Sequence, residues 1–131
     1  MQGISYSRQR RKIAAQVRHI LGEDAIIGSS CYDQLDRAKS AQKEGASYVA
    51  FGAMFPTSTK PNAPRASLAL LKEAKREIQI PIVAIGGITV NNAHDVIKTG
   101  IDAIAVITSL YEAKSIKETA ETLSKMFQIK I

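Results

Sequence analysis

The sequence predicts an α/β protein made of parallel βα units, and three observations carry that prediction. Short runs rich in alanine and β-branched residues, nearly free of charge, alternate with segments of helical spacing, as parallel strands buried on both faces require. A motif recurs: Lys43-x-Gly45-x-x-x-Val49-Ala50 returns as Lys98-x-Gly100-x-x-x-Ile104-Ala105. Each copy closes a helix on a glycine, which suits a left-handed terminus, and then enters a strand. No G-x-G-x-x-G turn follows any strand, so the dinucleotide-binding version of an α/β sheet has no support.

A helix near Ser7 to Leu21 opens the chain and carries Ile13, Val17, Ile20 and Leu21 on one face. Strands are expected at Ala25 to Ser29, Tyr48 to Ala53, Ile82 to Gly86 and Ala103 to Thr108. Between them, Leu35, Ala38 and Gln42 keep helical spacing, as do Leu68, Leu71 and Ile78, and then Ala93, Val96 and Ile97. The last helix starts at a Ser115-x-x-Glu118 capping box and shows Ile116, Ala120, Leu123 and Phe127 on its face.

Composition bounds the function. The 131 residues are 45% hydrophobic and 23% charged, with no apolar run long enough to span a bilayer. One cysteine, Cys31, excludes an intramolecular disulfide, and no charged-then-apolar signal opens the chain; both point to a reducing cytoplasm. Lys and Arg number 18 against 12 Asp and Glu, a formal charge of +6 that favours anionic partners.

The densest polar cluster is Thr57-Ser58-Thr59-Lys60, framed by Pro56 and Pro61 directly after the apolar run Tyr48 to Met54. Loops at the carboxyl ends of buried strands are where α/β proteins place ligand chemistry, and hydroxyls beside an ammonium suit a phosphate. Strict βα alternation leaves an open doubly wound sheet or a TIM barrel. The run Ile82-Val83-Ala84-Ile85-Gly86-Gly87-Ile88-Thr89, with small hydroxyl residues at the end of the next strand, favours the barrel. Paired glycines let backbone N–H groups approach an anion, and barrels often build phosphate sites after strands seven and eight.

With these residues in view, the chain resembles the thiamine-phosphate synthase family. The resemblance rests on Ile26-Ile27-Gly28-Ser29-Ser30, on Gly45 to Gly52 leading into Phe55-Pro56-Thr57-Ser58-Thr59-Lys60-Pro61, on Pro81 to Thr89, on Asn92-Ala93 and on Val106-Ile107-Thr108. It implies a transferase that joins a pyrimidine diphosphate to a thiazole phosphate with Mg²⁺ assistance and releases diphosphate. It further implies that Lys60 and Ser30 hold the diphosphate. Thr57, Ser58, Thr59, Gly87, Ile107 and Thr108 would hold the thiazole phosphate, with Thr108 standing where the family usually has serine.

The four expected strands align with the last four of that family's barrel, so residues 1–131 are expected to be a single partial TIM-barrel domain lacking the first half. The family's Gln-x-Arg-x-Lys segment and its two metal-binding aspartates belong to that half. Asp24 and Asp33 read as turn and cap residues, and no metal site is assigned. A half-barrel exposes unpaired strand edges, which implies a homo-oligomer or association with a missing half.

Other readings of the same residues stay open. A thiazole tautomerase on the same barrel would need a general acid/base and no lysine for a diphosphate. A non-catalytic, phosphate-binding or oligomerising half-barrel is a third reading. Arg8, Arg10, Arg11, Lys12 and Arg18 form a basic helix that could lie on nucleic acid or an anionic membrane, though no aromatic platform or nucleic-acid motif accompanies it. Ser30 and Thr108 could cap helices, Cys31 reads as a packed thiol, and His19 and His94 read as surface residues.

Overall fold

The computed structural model describes residues 6–56, 65–106 and 114–128. Within them the order is α1 (Tyr6–Leu21), β1 (Gly28–Tyr32), α2 (Leu35–Lys43), β2 (Tyr48–Phe51), α3 (Leu68–Glu77), β3 (Ile82–Ile85), α4 (Ala93–Ile97), β4 (Ala103–Ala105) and α5 (Ile116–Gln128). The strands form one parallel sheet in the order β1-β2-β3-β4. Helices α2, α3 and α4 join consecutive parallel neighbours, and the right-handed rule for such crossovers places these helices on one face of the sheet.

That face holds the core. Val49, Phe51, Ile82 and Ala84 are fully buried and pack with Ala38, Leu71, Ala74, Val96, Ile97 and Leu123 from the helices. Each large apolar side chain so covered contributes roughly 1.5–3 kcal/mol. The alternate residues point the other way. Ser30, Ala50, Val83 and Ala103 stand in one register row across the sheet, and Ile85 pairs with Ala105 in a neighbouring row. Tyr48 lays its ring over its register partner Gly28, where a side chain on β1 would collide with it.

At the amino ends of the strands, the two halves of the sequence repeat are built alike. Ser47, just before β2, accepts the N–H of Ile27 at its Oγ (2.9 Å); Asp102, just before β4, accepts the N–H of Ile82 at Oδ2 (2.9 Å). A cation from an earlier helix closes each clamp: Arg18 of α1 donates to Ser47 Oγ (3.1 Å), and Lys75 of α3 reaches Asp102 Oδ1 (3.2 Å). Gly45 and Gly100, at φ +95 and +93, end α2 and α4 in the left-handed conformation that the echo implies. Gln42 of α2 joins the two units by accepting from the N–H groups of Gln79 (2.6 Å) and Ile80 (3.1 Å). Lys39 and Glu77 tie α2 to α3 at 2.7 Å, and that hydrogen bond and charge hold the Lys39 ammonium above its ordinary pKa.

Several expectations need correction. β1 begins at Gly28, not Ala25, and extends through Tyr32. The apolar residues before it are claimed elsewhere: Ala25 O accepts from Arg18 (2.7 Å), Ile27 N donates to Ser47, and Ile26 is 83% exposed. The polar Ser29-Ser30 then makes the ladder beside β2, because backbone pairing is indifferent to side chain. Second, Ile78 lies just past α3, extended at φ −109 and ψ 130, although it is buried. Third, the apolar stripe of α1 is not the face turned inward. Ala14 is buried and Arg18 serves the clamp, whereas Ile13, Ile20 and Leu21 are 52%, 78% and 60% exposed. β2 and β3 are each shorter than expected, ending at Phe51 and Ile85, because Gly52 and Gly86 turn into loops. β4 ends at Ala105, with Val106 beyond it and Ile107 and Thr108 outside the described residues.

The last helix starts as its sequence predicts, with the N–H of Glu118 donating to Ser115 Oγ at 3.2 Å. Ser67 caps α3 in the same manner, accepting from the N–H of Leu70 at 3.0 Å.

Candidate phosphate-binding site

The carboxyl ends of β2 and β3 run directly into two loops that pack backbone against backbone. Ile85 O accepts the N–H of Met54 and Gly86 O accepts that of Phe55, both at 3.1 Å. Gly86 and Gly87 have φ +99 and +69. A Cβ on Gly86 would lie 2.7 Å from Ala53 Cα, and one on Gly87 would lie 2.7 Å from Phe55 O. Glycine is therefore required here twice over, by the left-handed backbone and by the approach of the neighbouring loop.

The segment expected to carry the phosphate chemistry hangs from this junction. Thr57, Ser58, Thr59 and Lys60 lie outside the described residues. The stems on either side are fixed, because Ala66 on the return stem donates its N–H to Ala53 O at 3.0 Å. Ile107 and Thr108 also fall outside the described residues.

Ser30 sits inside β1, exposed, on the sheet face opposite the helices and in register with Ala50. Its place within a strand rules out the helix-cap alternative. Cys31 beside it is completely buried, so its thiol belongs to the core. His19 and His94 are exposed. Past β1, Tyr32 takes φ 54, its carbonyl accepts the N–H of Gly52 (3.1 Å), and the Arg37 guanidinium stands 5.2 Å from its ring centroid.

One residue of this region carries more than sequence reasoning assigns to it. Asn92 does not cap α4 with its side chain. Its Oδ1 accepts the N–H of Thr89 at 2.7 Å and its Nδ2 donates to Gly87 O at 3.0 Å. The signal available in the sequence was an Asn closely following a glycine pair, in the position of a turn residue.

Among the described residues, no group of three His, Cys, Asp or Glu side chains could hold a metal ion. They do not fit the Mg²⁺ site that the family resemblance implies. No helix among them is long and apolar enough to cross a membrane.

Parallel βα units with a glycine-paired loop at the carboxyl end of a central strand define an α/β protein, a class that places its ligand loops at that end of the sheet. The comparisons with known proteins make the class specific: the chain belongs to the thiamine monophosphate synthase family, whose model matches residues 8–110. It is 47% identical over 125 residues to the thiamine-phosphate synthase of Methylococcus capsulatus, covering 95% of this chain and 55% of that protein. It is 53% identical over 113 residues to that of Methylobacillus flagellatus, covering 86% of this chain and 54% of that protein. A solved thiamine phosphate pyrophosphorylase from Pyrococcus furiosus superposes with a TM-score of 0.78 at 36% identity, over 88% of this chain and 54% of that one. The chain thus spans about half the length of the relatives it matches.

Proposed function

We propose that this chain is the carboxyl-terminal half of a TIM-barrel thiamine-phosphate synthase, a single partial domain that carries the phosphate-binding end of the site. The observation that carries the reading is the junction between the Phe55 loop and the glycine pair. It brings the stem of Thr57-Ser58-Thr59-Lys60 against a backbone built to approach an anion. The identity to two thiamine-phosphate synthases supports the same reading.

In the proposed reaction the pyrimidine methylene carbon loses its bond to the diphosphate oxygen and gains one to the thiazole nitrogen. Diphosphate leaves with the bonding electrons. Lys60 supplies a positive charge where negative charge grows on the leaving group, and Ser30 donates a hydrogen bond to it. Thr57, Ser58 and Thr59 hold the thiazole phosphate with their hydroxyls; Gly87, Ile107 and Thr108 complete its cradle. Holding both substrates on one rigid sheet converts a bimolecular encounter into a local one. Mg²⁺, which the described residues do not fit, belongs on this reading to the part of the site that the other half supplies. The cytoplasm is the compartment that this reading assigns to the reaction.

The partner of such a half covers what the sheet leaves open. β1 and β4 are paired on one side only among the described residues, and the α1 stripe of Ile13, Ile20 and Leu21 is exposed together with Ile26. A second copy of this half-barrel, or the missing half of the barrel, would pair those edges and cover that stripe.

The test supplies both substrates and Mg²⁺ to the purified chain and measures thiamine phosphate. Product from this chain and none from Lys60→Ala supports a synthase complete in itself or in its oligomer. Saturable binding of thiazole phosphate without turnover supports a half that needs its complement. Absence of binding for either substrate would sink the reading.

A further inference from the structure

We infer that Asn92 is a positioning residue for phosphate, acting through the backbone of the glycine pair; the inference rests on the phosphate-binding reading of Gly87. The peptide unit is planar and trans, so its C=O and N–H point in opposite directions. Gly86 O is held by the N–H of Phe55, which fixes the orientation of the Gly86–Gly87 peptide and with it the direction of the Gly87 N–H. Gly87 O is held by Asn92 Nδ2 at 3.0 Å, which turns the N–H of Ile88 away from Asn92. Neither of these N–H groups donates to an acceptor among the described residues.

The second bond of the carboxamide makes the device rigid. With Oδ1 on the N–H of Thr89 at 2.7 Å, the Asn92 side chain spans the loop from Gly87 to Thr89 and fixes its own flip state, because oxygen must face the N–H and nitrogen the carbonyl. At φ +99 and +69 the glycine pair has no Cβ to restrict rotation of its peptides. Asn92 supplies that restriction from outside. It does so without charge, so an anion at the loop meets backbone N–H dipoles held in place and no carboxylate from residue 92.

The experiment follows backbone amide resonances of the isotope-labelled 131-residue chain during titration with inorganic phosphate, then with hydroxyethylthiazole phosphate. In the unmodified chain the Gly87 and Ile88 amides move together and saturate, and the Asn92 carboxamide resonances move with the same midpoint. Asn92→Ala weakens phosphate binding at least tenfold and removes the Gly87 and Ile88 response. Asn92→Asp, which keeps the acceptor for Thr89 but sets oxygen against Gly87 O, also binds at least tenfold more weakly. Unchanged affinity in Asn92→Ala overturns the inference. So do Gly87 and Ile88 amides that ignore phosphate in the unmodified chain. Where a variant does not fold, a static Asn92 carboxamide beside a moving Gly87 amide in the unmodified chain overturns it equally. A response to inorganic phosphate with no tighter binding of the thiazole phosphate would instead defeat the substrate assignment and leave the role of Asn92 standing.

Discussion

Asp102 accepts the backbone N–H of Ile82 through Oδ2 at 2.9 Å, and so pins the start of β3 to the residue just before β4. Its Oδ1 meets Lys75 at 3.2 Å, with both side chains substantially exposed. The two bonds have unequal worth. An exposed ion pair gives about 0–1 kcal/mol, whereas leaving a part-buried N–H without a partner costs about 1–3 kcal/mol. Asp102→Asn, which keeps an acceptor for Ile82, is therefore expected to lose less than about 1 kcal/mol of stability. Asp102→Ala is expected to lose more, and Lys75→Met to match the asparagine variant. Urea denaturation of the three variants checks the order; equal losses for Asn and Ala would show that the N–H bond is not the part that matters.

In the first repeat the corresponding cation does much more. Arg18 donates to the carbonyls of Gly22 (2.9 Å), Glu23 (3.1 Å), Ala25 (2.7 Å) and Gly45 (2.7 Å) and to Ser47 Oγ (3.1 Å). A planar fork can serve acceptors on both sides of the α1–β1 connection; an ammonium cannot. Arg18→Lys is expected to lose on the order of 1–3 kcal/mol despite its unchanged charge. Amide exchange in α1 should accelerate more than exchange in β2 and β3. Uniform acceleration in all three elements would contradict the local role.

This asymmetry also shows what could be read from the sequence. The order of elements was legible because apolar periodicity changes cleanly between helix and strand, and the Gly45 and Gly100 echo marked both helix ends. The start of β1 was not, since Ile26 and Ile27 resemble a strand until Arg18 and Ser47 claim the neighbouring backbone groups. Nor was the inward face of α1. A stripe of Ile13, Val17, Ile20 and Leu21 predicts burial, but the residues that α1 turns towards the clamp are Ala14 and Arg18. At the site, Gly86 and Gly87 could be singled out because the required residue type is glycine itself. Asn92 could be noticed only as a turn-type residue close after the glycine pair, because its two hydrogen bonds depend on how the loop folds back.

Gly87 and Gly100 separate two reasons for keeping a glycine. Both have positive φ, +69 and +93. A Cβ on Gly100 would meet only Lys75 Cγ at 3.6 Å, an ordinary contact, whereas one on Gly87 would strike Phe55 O at 2.7 Å. Gly100→Ala is expected to cost about 1–2 kcal/mol, the backbone term alone. Gly87→Ala adds displacement of the Phe55 loop and is expected to cost more, with loss of phosphate binding. Urea midpoints and a phosphate titration test this; Gly87→Ala with full phosphate affinity would mean that the two loops do not need their close approach.

The exposed stripe of α1 gives a prediction that separates a contact surface from a mispacked core. Ile20 and Leu21 are 78% and 60% exposed, so removing their apolar side chains takes little from the folded monomer. Substitutions at exposed positions usually change stability by less than about 0.5 kcal/mol. The double variant Ile20→Ser, Leu21→Ser is therefore expected to leave the urea midpoint of a monomeric sample nearly unchanged. The same surface, together with Ile13 and Ile26, would lose apolar area against a second half-barrel at roughly 25 cal/mol per Å². Association, read by sedimentation equilibrium over a range of concentrations, should weaken in the variant. A drop in monomer stability with no change in association would place the stripe inside the chain's own core and remove the reason for a partner at α1.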